Sequence, residues 1–175
     1  MCIRDSEPLV DPGRHSVSLA TPALAAPRVR TIRCVVEYDG TDFCGMQFQP
    51  NVRTVAGTLE AALRELLHED VKITAAGRTD AGVHASGQVI SFRSSATFPF
   101  ERLPIAMNST LPPDASVRSS EVTGDGFSAR FSAVERTYLY WIFNRRQPSA
   151  VARRFSHHVY ACLLYTSDAA DDLTR

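Results

Sequence analysis

The sequence has little cysteine, almost no lysine, no surplus of charge and no long apolar run. Each shortage excludes something. Four cysteines (Cys2, Cys34, Cys44 and Cys162) occur in 175 residues, and no two form a C-x-x-C pair. That spacing fits neither a disulfide scaffold nor a cysteine zinc site. No apolar run approaches the roughly 18 residues that a membrane-spanning helix needs. Acidic and basic residues balance at 19 each, and 44% of the chain is hydrophobic. A polyelectrolyte-like disordered chain is excluded on those grounds, and a globular core is within reach.

Among the basic residues only Lys72 is lysine; the other 18 are arginines. They are unevenly spread. From residue 130 to 154 six arginines face the single acid Glu135. Arginine forms paired hydrogen bonds to phosphate and stacks on bases, so this segment points toward nucleic acid. A solvated arginine-rich face is the plainer reading of charge alone.

Both ends differ from the middle. Residues 1–27 hold four prolines and no hydrophobic period. Pro22 interrupts the weakly apolar stretch 17–26, which argues against a signal peptide. Residues 1–27 and 161–175 are read as disordered or non-native tails around a single domain, 28–160. The natural chain is expected to continue past about Tyr160.

Within the domain, Ile32, Cys34, Val36 and Tyr38 alternate with polar or smaller neighbours, which predicts a strand over 32–38. Thr54 is the expected N-cap of a helix whose Val55, Leu59, Leu63, Leu66 and Leu67 share one face. Further strands are predicted over 71–76, 89–93 and 117–122, with a short helix over 100–111. A fifth strand, TYLYWIF at 137–143, has bulky residues on both faces. It reads as a central strand covered on both sides. The order is β-α-β-β-α-β plus one strand. This is an α+β, ferredoxin-like (RRM-like) split βαβ pattern, a mostly antiparallel sheet with its helices on one face.

The most informative segment is the loop AGRTDAGVHASGQ at 76–88. It joins two predicted strands, yet it is longer than a tight connection needs and holds three glycines. Arg78 and Asp80 flank Thr79, so in extended backbone their side chains leave on one side. There the arginine would keep the carboxylate ionised. The plain alternative is an Asp capping a turn beside a surface arginine. His84 has no partner at metal-ligand spacing and reads as a structural histidine.

At this point the motifs converge. GRTDAGVHA at 77–85 resembles the signature of the tRNA pseudouridine synthase A family. YDGT at 38–41, TVAGTLEAAL at 54–63, GQVISF at 87–92, LPPDASV at 111–117, FSARFSA at 127–133 and RTYLY at 136–140 resemble that family's other motifs, in order. The resemblance covers residues 30–160 and implies half of a pseudouridine synthase fold. It implies that Asp80 is the catalytic aspartate. It also implies that Arg78 helps hold the target base outside the stack and that Tyr138 contacts it. Phe127, Ser128, Ala129, Arg130 and Phe131 correspond to a stretch that touches tRNA. The implied reaction isomerises uridine to pseudouridine in the anticodon arm, with no cofactor and no metal. The implied setting is a cytoplasmic homodimer.

These roles have a physical basis. A base inside a duplex must be flipped out before its glycosidic bond can be reached. An arginine can fill the gap or stack on the base. Whether Asp80 attacks the sugar or removes a ribose proton, it must be ionised. Tyr138 offers a ring for stacking; its plain reading is a core aromatic.

The chain departs from the family pattern at Met46, Ala56 and Ser128, where tryptophan, glutamine and histidine are usual. The family's second half is not in this chain, so it reads as an amino-terminal half with little turnover of its own. The competing reading is a non-catalytic ferredoxin-like RNA-binding module. It lacks the aromatic RNP strand of such modules and has no use for GRTD.

Overall fold

The computed structural model describes residues 28–160; the expectations for the two tails lie outside the described residues. Among the described residues six strands and two α-helices follow one another. They are β1 (Arg30–Tyr38), α1 (Val55–Leu67), β2 (Thr74–Ala75), β3 (Ala85–Ser94), α2 (Leu103–Asn108), β4 (Ala115–Thr123), β5 (Ile142–Asn144) and β6 (His157–Val159). The first four strands form one antiparallel sheet in the order β2-β3-β1-β4. The long strands β1 and β3 sit at its centre, as a split βαβ unit requires.

Alternation along β1 sorts its side chains by face. Ile32, Cys34, Val36 and Tyr38 are all buried in one hydrophobic cluster. Ile90 and Phe92 of β3 join them, opposite Cys34 and Ile32. Leu59, Leu63 and Leu67 of α1 and Leu103 and Met107 of α2 fill the same cluster, so both helices cover the same face. Each fully buried Leu or Ile contributes about 1.5–3 kcal/mol of transfer free energy. Burial pushes the Cys34 thiol up to about 12, against a small opposing pull from Arg33. That thiol is a core side chain and not a nucleophile.

α1 begins where the sequence reading places it. The Thr54 hydroxyl accepts the Gly57 amide at 3.2 Å, and His68 closes the helix in a left-handed conformation, φ 55°. Thr54→Ala is expected to cost about 1 kcal/mol, read as a lower urea midpoint. An unchanged midpoint would show that the cap contributes nothing. The second helix is shorter than predicted. A 3₁₀ turn over Phe100–Arg102 leads into α2, whose second residue is Pro104.

Two expectations need correction. The predicted strand over 71–76 shrinks to Thr74–Ala75, because the Glu60 carboxylate takes the Ile73 amide at 3.0 Å and withholds it from a ladder. The predicted fifth strand, 137–143, does not enter the main sheet. Only Ile142–Asn144 is extended, paired in parallel with His157–Val159 as a separate two-stranded sheet. Residues 138–142 of this run are exposed, Tyr140 at 84%, and Phe143 is half-buried. The apolar character of a run calls for cover but does not name which strand will provide it.

Candidate active site

The loop that carries Asp80 leaves β2, where the Ala76 amide bonds the Val89 carbonyl at 2.8 Å. It is pinned at Thr79 from two directions. The Thr79 hydroxyl lies 2.7 Å from the hydroxyl of Tyr38, and its carbonyl accepts the Met46 amide at 2.9 Å. Tyr38 ends β1 and is 3% exposed. Burial pushes its phenol above the ordinary value, outweighing hydrogen bonds with Thr79 and Gln88, so it stays a neutral anchor. Next comes a turn closed by the Val83 amide on the Asp80 carbonyl, 3.2 Å. Gly82 sits at its third position with φ +78°, a conformation that favours glycine.

A second loop, 40–46, cradles the first. The Phe43 carbonyl accepts the Gly82 amide at 3.2 Å. Gly45 has φ +86°, and a Cβ there would stand 2.8 Å from the Thr79 carbonyl oxygen. Here residues 43–45, just after YDGT, meet the GRTDAGVHA segment as backbone against backbone.

His84 bolts the far end of the loop. Its Nδ1 lies 3.1 Å from the Gly40 amide and 3.0 Å from Asp39 Oδ1, and its Nε2 lies 2.7 Å from the Arg154 carbonyl. A neutral ring accepts from Gly40, and a protonated ring donates to Asp39. In both forms an Nε2–H donates to Arg154. The ring also packs on Phe155, centroids 4.6 Å apart. Hydrogen bonds from the Thr41 hydroxyl and amide hold the Asp39 carboxyl below its ordinary value, with smaller contributions from His84 and Arg154. His84 is therefore a structural bridge, as its isolation in the sequence indicated.

With Thr79 pinned to Tyr38, its neighbours Arg78 and Asp80 are both exposed. The predicted ion pair between them is not formed. Among the described residues no cation lies within 4.0 Å of the Asp80 carboxylate. The Asp is also not a helix cap; it follows a bend and precedes a turn.

Residues 127–131 cross the sheet face opposite the helices. Ser91 lies between the core residues Ile90 and Phe92, so it faces away from the core, and its hydroxyl accepts the Ala129 amide at 3.0 Å. Ala129 is buried there; Phe127 and Ser128 are half-buried. Arg130 is exposed, with its guanidinium 5.5 Å from the centroid of the exposed Phe131 ring. Tyr138 is 64% exposed, which overturns the reading of it as a core aromatic. Of the arginines between 130 and 154, Arg136 and Arg154 reach the Asp80 loop and its supporting turn. Arg145 instead bonds the Gln147 and Pro148 carbonyls. Tyr38, Gln88, Arg136 and Arg154 are the supporting residues that the sequence reading did not single out. The first three do lie in the quoted motifs.

Hollows of about 480 and 360 Å³ open beside α1 and on the far sheet face. Arg78, Asp80 and Tyr138 line neither of them. The site is recognised by its chemistry: an exposed carboxylate on a rigidly held loop, beside an arginine-rich segment.

Comparison with known proteins places the chain in a family. A family model described as tRNA pseudouridine synthase matches residues 34–132, which include Arg78, Asp80 and residues 127–131. Curated relatives named tRNA pseudouridine synthase A include the following three. The protein of Caldicellulosiruptor saccharolyticus is 42% identical over 74% of this chain and 53% of its own length. That of Bacillus subtilis is 43% identical over 73% and 52%. That of Moorella thermoacetica is 47% identical over 73% and 53%. The chain spans about half the length of the curated relatives it matches. Since the family match covers more than half of the residues here, and with them the whole Asp80 loop and its cradle, the chain belongs to the tRNA pseudouridine synthase family.

Proposed function

We propose that this protein acts in the isomerisation of uridine to pseudouridine in the anticodon arm of tRNA, with Asp80 as the catalytic group. The observation that carries the reading is the Asp80 loop itself. Its backbone is held at Thr79 and Gly82 and its far end by the His84 ring, while its carboxylate is exposed and has no ion-pair partner among the described residues. A carboxylate that must act on a ribose needs a fixed position and free lone pairs, and this arrangement supplies both. Arg78, also exposed and two residues away, would hold the flipped base outside the stack. The exposed ring of Tyr138 would contact that base. Residues 127–131 would touch the RNA, with Arg130 on a phosphate and Phe131 open to stacking. No cofactor or metal enters this reading, because the reaction neither oxidises the substrate nor brings in a new group. A homodimer in the cytoplasm completes the proposal.

The test is tritium release from C5-labelled uridine in an unmodified tRNA transcript, using protein expressed from the complete reading frame of the gene. Release identifies an isomerase. Binding of tRNA without release would favour a non-catalytic RNA-binding module.

Arg130 supplies a separate expectation. Arg130→Ala should weaken binding to every tRNA and flatten the salt dependence by about one unit of slope per lost phosphate contact. Filter binding over a range of salt concentrations reads both. An unchanged slope would remove Arg130 from the interface.

A further inference from the structure

The site-bearing segments are distant in sequence, and one side chain joins them. Arg136 Nε donates to the Ala76 carbonyl at 2.8 Å, at the root of the Asp80 loop. Its Nη2 donates to the Arg130 carbonyl at 3.3 Å. The side-chain stem lies over Gly77: a Cβ built there would stand 3.6 Å from Arg136 Cδ. From the other direction Gln88 Nε2 donates to the Gly77 carbonyl at 2.7 Å. Arg136 is itself two residues before Tyr138, so the chain bounds the two Cα atoms to about 7 Å.

We propose that Arg136 is a positioning residue that sets the Asp80 loop, the Arg130 segment and the Tyr138 segment relative to one another, and does not serve as a phosphate contact. The proposal rests on the isomerase reading above. Charge counting alone would assign Arg136 to the RNA, as one of six arginines in a row of 25 residues. The geometry points elsewhere. Two of its nitrogens are committed to main-chain carbonyls, and no carboxylate lies within 4.0 Å of it among the described residues. The neighbouring Glu135 is engaged with the Thr137 hydroxyl at 3.3 Å. A planar guanidinium serves two carbonyls from Nε and Nη2 at once. A lysine has one ammonium on a flexible stem and cannot reproduce that fork. Carbonyl oxygens on separate segments are thus held by one rigid group.

The experiment compares wild type, Arg136→Lys and Arg136→Ala, each expressed from the complete reading frame. Turnover, tRNA affinity across salt, melting temperature and amide exchange over residues 76–80 are measured on all three. Misplacing a reacting group by about 1 Å costs about a hundredfold in rate. Arg136→Lys should therefore lose about a hundredfold in kcat while its tRNA affinity stays within about threefold and its salt slope is unchanged. Arg136→Ala should behave alike, and added guanidinium ion should restore part of its kcat. Amides 76–80 should exchange faster in both variants, and the melting temperature should barely move. A preserved kcat with a salt slope lower by about one would make Arg136 a phosphate contact and overturn the proposal. A fall in melting temperature with no guanidinium rescue would reduce Arg136 to a general stabiliser and overturn it too. If wild type releases no tritium, the isomerase reading fails by itself. Exchange over 76–80 then decides: unchanged protection in Arg136→Lys refutes the positioning role.

Discussion

Asp80→Asn is expected to abolish pseudouridine formation while tRNA affinity stays within about tenfold of wild type, about 1.4 kcal/mol. Asparagine keeps the size and polarity of the side chain but can act neither as a carboxylate nucleophile nor as a base. The structure makes this substitution unusually clean. Asp80 is exposed, forms no ion pair among the described residues, and enters the local hydrogen bonding only through its main chain. Nothing in the fold depends on its charge, so unfolding stability should change by less than about 0.5 kcal/mol. Tritium release, tRNA binding and urea unfolding, measured on the same preparation, separate the three effects. Release at the wild-type rate would remove Asp80 from catalysis. A large loss of stability would show that the loop is held differently.

Gly40→Ala carries the second large expectation, because it acts on that loop from behind. Gly40 is buried, and a Cβ added to it would stand 2.0 Å from the Val83 carbonyl oxygen and 2.4 Å from the Val83 carbonyl carbon. Both are backbone atoms, so no change of rotamer relieves the clash. The Asp80 loop must lift away from the Asp39–Thr41 turn, and the Gly40 amide moves off His84 with it. Overpacking of this kind costs about 1–3 kcal/mol of stability. The larger effect should be on turnover, about a hundredfold, since the shift falls between the turn and the carboxylate proposed to react. Gly124→Ala is the matched control: a Cβ there meets nothing within 4 Å. Wild-type turnover in Gly40→Ala would show that the loop position is not critical.

The strand-helix order of residues 30–123 was legible from the chain because its information is local. Alternating burial marks β1, and three- and four-residue spacing together with a threonine cap marks α1. Both patterns are properties of a few neighbouring residues. Asp80 stood out for the same reason: a glycine-rich loop with almost no bulky apolar residue has no packing task to explain it. The run 137–143 failed as a predicted sheet strand because apolar residues on both faces specify burial, and burial depends on a partner surface. The strand over 71–76 was cut short by a carboxylate on α1, which no local rule reveals.

By itself, then, the sequence determined the split βαβ pattern, the core face of each long element and the identity of the loop that bears the carboxylate. Only the tertiary structure decided how that loop is held. It set Tyr38 beneath Thr79, Gly40 and Gly45 against the loop backbone, His84 on the Arg154 carbonyl, and Arg136 across Ala76 and Arg130. It also decided that Arg78 and Asp80 form no ion pair among the described residues. The physical reason is range. Periodicity and capping act over one or two turns of chain, whereas all of these contacts except the one to Arg130 join residues 34 to 70 positions apart, and one exposed guanidinium looks like any other until the carbonyl it faces is known.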